Sequence, residues 1–79
     1  MPNTTRDEAL TVICRSTGSD PIAINDESRL IEDLGLDALD VVELTIDLEE
    51  AFGIEIADEQ VEGWQTIGDV IRCVEVADG

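Results

Sequence analysis

Seventy-nine residues make one small domain with a single core. Four Arg, no Lys and no His face twenty carboxylates, a formal charge of −16 and a pI near 4.1; this argues against nucleic acid and anionic membranes, which both require basic patches. A hydrophobic content of 43% with one Phe, one Trp and no Tyr predicts an aliphatic core of packed helices, an all-α fold.

A capping box at Thr5-x-x-Glu8 predicts a first helix from Thr5 to about Ser16, with a narrow core stripe of Ala9, Val12, Ile13 and Ser16. Gly18 and Pro21 end it. Residues 17–36 form a long connection, acceptable in so small a domain only if it is tied down. Ile22, Ile24, Leu30, Ile31, Leu34 and Leu36 are expected to pin it to the helices, with one short helical turn around Arg29 to Leu34. Asp37 is the N-cap of a second helix that extends to Ala51 or Phe52, where Gly53 stops it. Asp58 is placed to cap a short third helix, Glu59 to Glu62, ending at Gly63. Thr66-x-x-Asp69 begins a fourth helix with Ile67, Val70, Ile71 and Val74 on one face. The expected architecture is a four-helix bundle in one domain, residues 1–79, with a long first connection and a short third helix.

The second helix carries two apolar stripes. At the helical period Val41, Leu44, Leu48 and Phe52 form a core stripe, while Leu39, Val42 and Ile46 lie roughly opposite. Glu43, Asp47 and Glu50 fall within or beside this second stripe, and Glu49 on its other margin. Burying unpaired charge costs several kcal/mol, so the second stripe reads as a solvent-facing docking ridge whose acids meet Arg and Lys on a partner. Packing under the third helix or the long connection is the competing reading. Charge of this density steers basic surfaces into rapid, salt-sensitive encounters.

Cys14 and Cys73 fall in different helices, without a Cys-x-x-Cys pair or a His, which suits reduced structural thiols and no metal site. The chain has no membrane-length apolar run and no charged-then-apolar leader, so it reads as cytoplasmic. Its charge predicts a monomer at low salt.

Four segments, in order and with matching spacing, resemble the acyl carrier proteins: Glu32-Asp33-Leu34-Gly35-Leu36-Asp37-Ala38-Leu39-Asp40, Val42-Glu43-Leu44, Leu48-Glu49-Glu50-Ala51-Phe52 and Ile54-Glu55-Ile56-Ala57-Asp58-Glu59. The resemblance covers essentially the whole chain. It implies a four-helix carrier that shuttles acyl intermediates as thioesters on a phosphopantetheine arm taken from coenzyme A. Implied partners are basic faces of synthases, ligases, acyltransferases and the phosphopantetheinyl transferase, meeting Leu39, Asp40, Val42, Glu43, Ile46, Asp47, Glu49 and Glu50. The arm would join at position 38, flanked by Asp37, Leu39 and Asp40, with its phosphate near a helix N-terminus. The acyl cargo would lie among Leu30, Ile31, Leu44, Thr45, Leu48, Ile56, Val61, Trp64 and Val70. Trp64 departs from the family's usual medium-sized aliphatic residue and would narrow or reshape such a cavity. Fatty acyl, polyketide and aminoacyl cargoes all remain open.

The family carries Asp-Ser-Leu where this chain has Asp37-Ala38-Leu39. A methyl group cannot attack phosphorus, and Thr45 lies about two turns along the helix. Either the natural protein has serine here and the chain is a blocked, engineered form, or it is a natural relative that lost the arm and kept the docking surface. Retention of Asp37, Leu39 and Asp40 favours the first. Enzyme readings are weak, because the chain offers no imidazole, no lysine and no Gly-rich phosphate loop. A twelve-residue calcium loop is also missing, although divalent ions are expected to relieve self-repulsion without a dedicated site.

Overall fold

The computed structural model describes residues 5–78, in which four helices appear in the expected order. α1 spans Thr5–Thr17, α2 Ala38–Phe52, α3 Asp58–Glu62 and α4 Ile67–Asp78. α1 packs against both α2 and α4. The core between them is aliphatic: Ala9 and Ile13 from α1, Leu44 and Leu48 from α2, and Ile67, Val70, Ile71 and Val74 from α4. Leu30, Leu36 and Ile56 close it from the connections. α3 contributes no fully buried residue, only the half-buried Val61.

The helix ends follow from their side chains. At α2, Asp37 accepts a hydrogen bond from the Asp40 amide, and the Asp40 carboxylate accepts one from the Asp37 amide, satisfying two donors that the first turn cannot. Gly53 ends α2 in the left-handed conformation, φ 64°, where a Cβ would be strained. At α4 the same device recurs: Thr66 Oγ1 accepts from the Asp69 amide, and Asp69 accepts from the amides of Gln65 and Thr66. Those backbone bonds, the Gln65 one foremost, hold the Asp69 carboxyl below the usual carboxylate range.

Three expectations need correction. α1 begins at Thr5 as expected, but the hydroxyl of that expected cap donates to Asp78 at the far end of α4 (3.0 Å), tying the two helices together. α3 begins one residue early, at Asp58; its N-cap position is Ala57, whose amide donates to the Gln60 side chain. The α1 stripe is broader than predicted, since Cys14 is buried and Leu10 packs against the core. Both cysteines are free thiols, and burial, followed by Asp20, raises the Cys14 pKa.

The long connection is tied down, though not by all the residues expected. Leu30 and Leu36 are buried, and Ile24 and Leu34 pack on the core, while Ile22 and Ile31 stay 92% and 67% exposed. The turn at 29–34 forms, with Asp33 and Gly35 amides donating to the carbonyls of Arg29 and Ile31. Backbone pairing supplies the rest of the anchorage: the amides of Leu30, Ile67 and Gly68 donate to the carbonyls of Gln65, Ser28 and Asp26. Arg6 of α1 pairs with the Asp26 carboxylate, so Asp26 links α1, the connection and α4.

Candidate functional site

The first turn of α2 is built to present residue 38. Gly35, at φ 71°, redirects the chain out of the preceding turn, and Leu36 is then buried with its amide donating to the Leu30 carbonyl (3.0 Å). Asp37 is extended (φ −105°, ψ −176°) and closes the cap, leaving Ala38 as the first helical residue, exposed to solvent. A helix start favours a negative group, and the exposed position has room for a bulky one. Residue 38 is thus accessible, but the Asp37 and Asp40 carboxylates already occupy two amides of this turn, and the Ala38 methyl supplies no oxygen to bond a phosphate-linked arm. Nearby hydroxyls do not substitute. Thr45 Oγ1 donates to the Val41 carbonyl (2.8 Å), and Ser28 is buried with its oxygen accepting from the Asn25 amide.

The two stripes of α2 separate as the wheel predicts. Leu44 and Leu48 are wholly buried and Val41 and Phe52 pack partly against the core, whereas Leu39, Val42 and Ile46 are 64%, 50% and 48% exposed. Glu43, Asp47 and Glu50 are exposed carboxylates along one margin of that stripe, and Asp47 and Glu50 also line a cleft with Val12, Arg15 and Ser16 of α1. The outer stripe is not covered by the long connection or by α3, although Val42 and Ile46 border the groove that separates α2 from α3. Two of the acids assigned to this surface are committed elsewhere: Asp40 to the cap, and Glu49 to the link into α3. Glu49 Oε2 accepts from the Ile56 amide (2.8 Å), and its carbonyl accepts from the amides of Gly53 and Ile54. The sequence offered no sign of this, because the partner amide is seven residues away and belongs to an irregular segment.

The nine residues assigned to cargo do not share one cavity. Leu44, Leu48 and Val70 fill the core. Leu30, Ile31 and Trp64 join Val41 in a cleft of about 270 Å³ beside the first turns of α2. Thr45, Ile56 and Val61 line a shallower groove between α2 and α3, together with Val42 and Ile46 of the ridge.

Comparison with known proteins gives one consistent answer. A family model described as a phosphopantetheine attachment site matches residues 7–74. The acyl carrier protein of Wolinella succinogenes is 46% identical over 69 residues, covering 87% of this chain and 91% of that protein. An acyl carrier protein of Sulfurovum sp. is 44% identical over 69 residues, covering 87% and 92%. Among solved structures, a putative acyl carrier protein from Mycobacterium tuberculosis superposes with a TM-score of 0.84 at 30% identity, covering 92% of this chain and 97% of that one.

Proposed function

The chain belongs to the acyl carrier protein family, and from that premise we propose that it is a carrier whose arm position is occupied by Ala38 and which becomes loadable with serine there. Such proteins carry intermediates rather than catalyse reactions. The observation that carries the proposal is the start of α2, where the reciprocal Asp37–Asp40 cap and an exposed first residue surround the one missing atom. When present, the arm supplies a thiol that holds cargo as a thioester; the chain's own residues orient and dock.

In this reading Leu39, Val42 and Ile46 form the apolar centre of the docking surface, and Glu43, Asp47 and Glu50 its charged surround. A basic partner is steered in by the net charge of −16. The ridge then loses water against it, which supplies the short-range part of the affinity. Asp37 and Asp40 keep the first turn formed during the encounter. Synthases, ligases, acyltransferases and the phosphopantetheinyl transferase are the expected partners, met by a monomer in the cytoplasm. Among the described residues no helix is long and apolar enough to cross a membrane.

Loading tests the proposal. Ala38→Ser, incubated with coenzyme A, Mg²⁺ and a broad-specificity transferase, should gain the mass of one phosphopantetheine, and the Ala38 chain none. A second reading, an arm-less interaction protein, is favoured by Ala38 itself; intact mass of the protein from its native source decides, since an arm found there excludes it.

A further inference from the structure

One margin of the α2 ridge is shared with α1. Asp47, Glu50 and Ala51, within about one turn on α2, line one side of a cleft of about 370 Å³, and Val12, Arg15 and Ser16, likewise grouped on α1, line the other. Val12 packs partly against the core, while Arg15, Asp47, Glu50 and Ala51 are exposed. The chain has only four Arg against twenty carboxylates. Among the described residues the ion pairs join Arg6 to Asp26 and Arg29 to Glu32, and Arg15 is in neither. A cation in the last turn of α1 suits the helix dipole. That accounts for its height along the helix, but not for its place beside the acids of α2.

The charge of this margin therefore changes sign. Asp47 and Glu50 attract Arg or Lys, while across the same cleft Arg15 repels them and attracts a carboxylate. Steering by a net charge of −16 draws in any basic surface and does not choose among them. Choice needs a repulsive element beside the attractive ones. We propose that Arg15 is a specificity-determining residue of the docking surface, and that the partner segment seated in the α1–α2 cleft carries a carboxylate among its Arg or Lys side chains. Val12 and Ala51 offer that segment a small apolar contact. A partner face bearing cations alone sets like charge against Arg15 and is disfavoured. The proposal rests on the docking reading of α2 above. It does not involve the arm, so the Ala38 chain itself is the test material.

The probes are end-capped helical peptides with Leu on one face and Arg along both margins, together with a series in which each marginal Arg in turn is replaced by Glu or by Gln. Affinities are measured at fixed ionic strength for the Ala38 chain, Arg15→Gln and Arg15→Glu. Amide chemical shifts locate the peptide, and melting temperatures record the fold. At most positions Glu should bind the Ala38 chain more weakly than Gln, because it opposes the net charge. At one position Glu should bind roughly fivefold tighter than Gln. That preference should vanish in Arg15→Gln and invert in Arg15→Glu. Shifts should appear at Val12, Ser16 and Ala51 as well as at Leu39, Val42 and Ile46. If Glu exceeds Gln at no position, or if the preference persists in Arg15→Gln, the proposal is overturned. Should Arg15→Glu lose stability, the neutral Arg15→Gln still decides. Absence of shifts at Leu39, Val42 and Ile46 with every peptide overturns the docking reading and this proposal with it; shifts there without an Arg15-dependent preference overturn this proposal alone.

Discussion

The two faces of α2 carry similar aliphatic side chains and meet opposite environments. Leu44 and Leu48 are wholly buried in the core, while Leu39, Val42 and Ile46 are half or more exposed to water. The inner set is explained by folding, since each side chain removes apolar area from water. The outer set removes less of its area from water and so gains less from folding. In the proposed reading one helix separates stability from recognition by about half a turn of rotation, and substitutions on its two faces should separate the same way.

The largest effect is expected on the inner face. Leu48→Ala should lower unfolding stability by about 2–5 kcal/mol, read from a denaturant midpoint, and should weaken partner binding only through loss of folded protein. On the outer face Ile46→Ala should reduce affinity for a basic partner roughly tenfold, about 1.4 kcal/mol, in a titration at fixed salt. Its melting temperature should move far less than that of Leu48→Ala. A core-like loss of stability in Ile46→Ala with unchanged affinity would erase the distinction between the faces.

The neighbouring acids sharpen it further. Glu50→Gln should slow association and reduce its salt dependence without changing stability, because Glu50 is an exposed charge. Glu49→Ala should instead cost about 1 kcal/mol of stability, since the Ile56 amide loses its acceptor. Stopped-flow association together with thermal melting distinguishes the two.

A comparable loss, about 1 kcal/mol, is expected for Asp69→Ala, which removes the cap of α4, a helix remote from the ridge. The folded-state pKa of Asp69 is depressed, so its contribution is complete above the unfolded-state value and lost as pH falls through the folded one. The stability gap between the native chain and Asp69→Ala should therefore narrow only in acid, as urea midpoints across an acid series would reveal. The smallest effect is that of ions: Mg²⁺ should raise the melting temperature more than NaCl of equal ionic strength, and equal shifts would reduce it to general screening.

Much of this was legible in the sequence because it rests on local chemistry. Asp37 with Asp40, Thr66 with Asp69, and Gly53 at a helix end are readable from a few residues, and the two stripes of α2 from its period. What stayed hidden depends on distant partners. The pairing of residues 26–30 with 65–68 joins two irregular segments, Thr5 reaches across to Asp78, and Glu49 turns away from the acidic face toward Ile56. Ile22 and Ile31 were misjudged for the same reason. An apolar residue in a connection has no period to say which way it points, and backbone pairing anchored the segment without them. The residues expected to line a cargo site divide between the core and two clefts, a division that depends on where α3 lies, and its five residues bury too little to reveal that position.

In the proposed reading residue 38 is the single missing element of an otherwise intact carrier. Intact-mass and peptide-mapping analysis of the Ala38 and Ala38→Ser proteins, treated side by side with transferase, coenzyme A and Mg²⁺, tests this most directly. Ala38→Ser should gain one phosphopantetheine, located on the peptide that begins α2, and the Ala38 chain should keep an unchanged mass. An arm on the Ala38 chain, or none on Ala38→Ser while a known carrier is loaded in the same reaction, would contradict it.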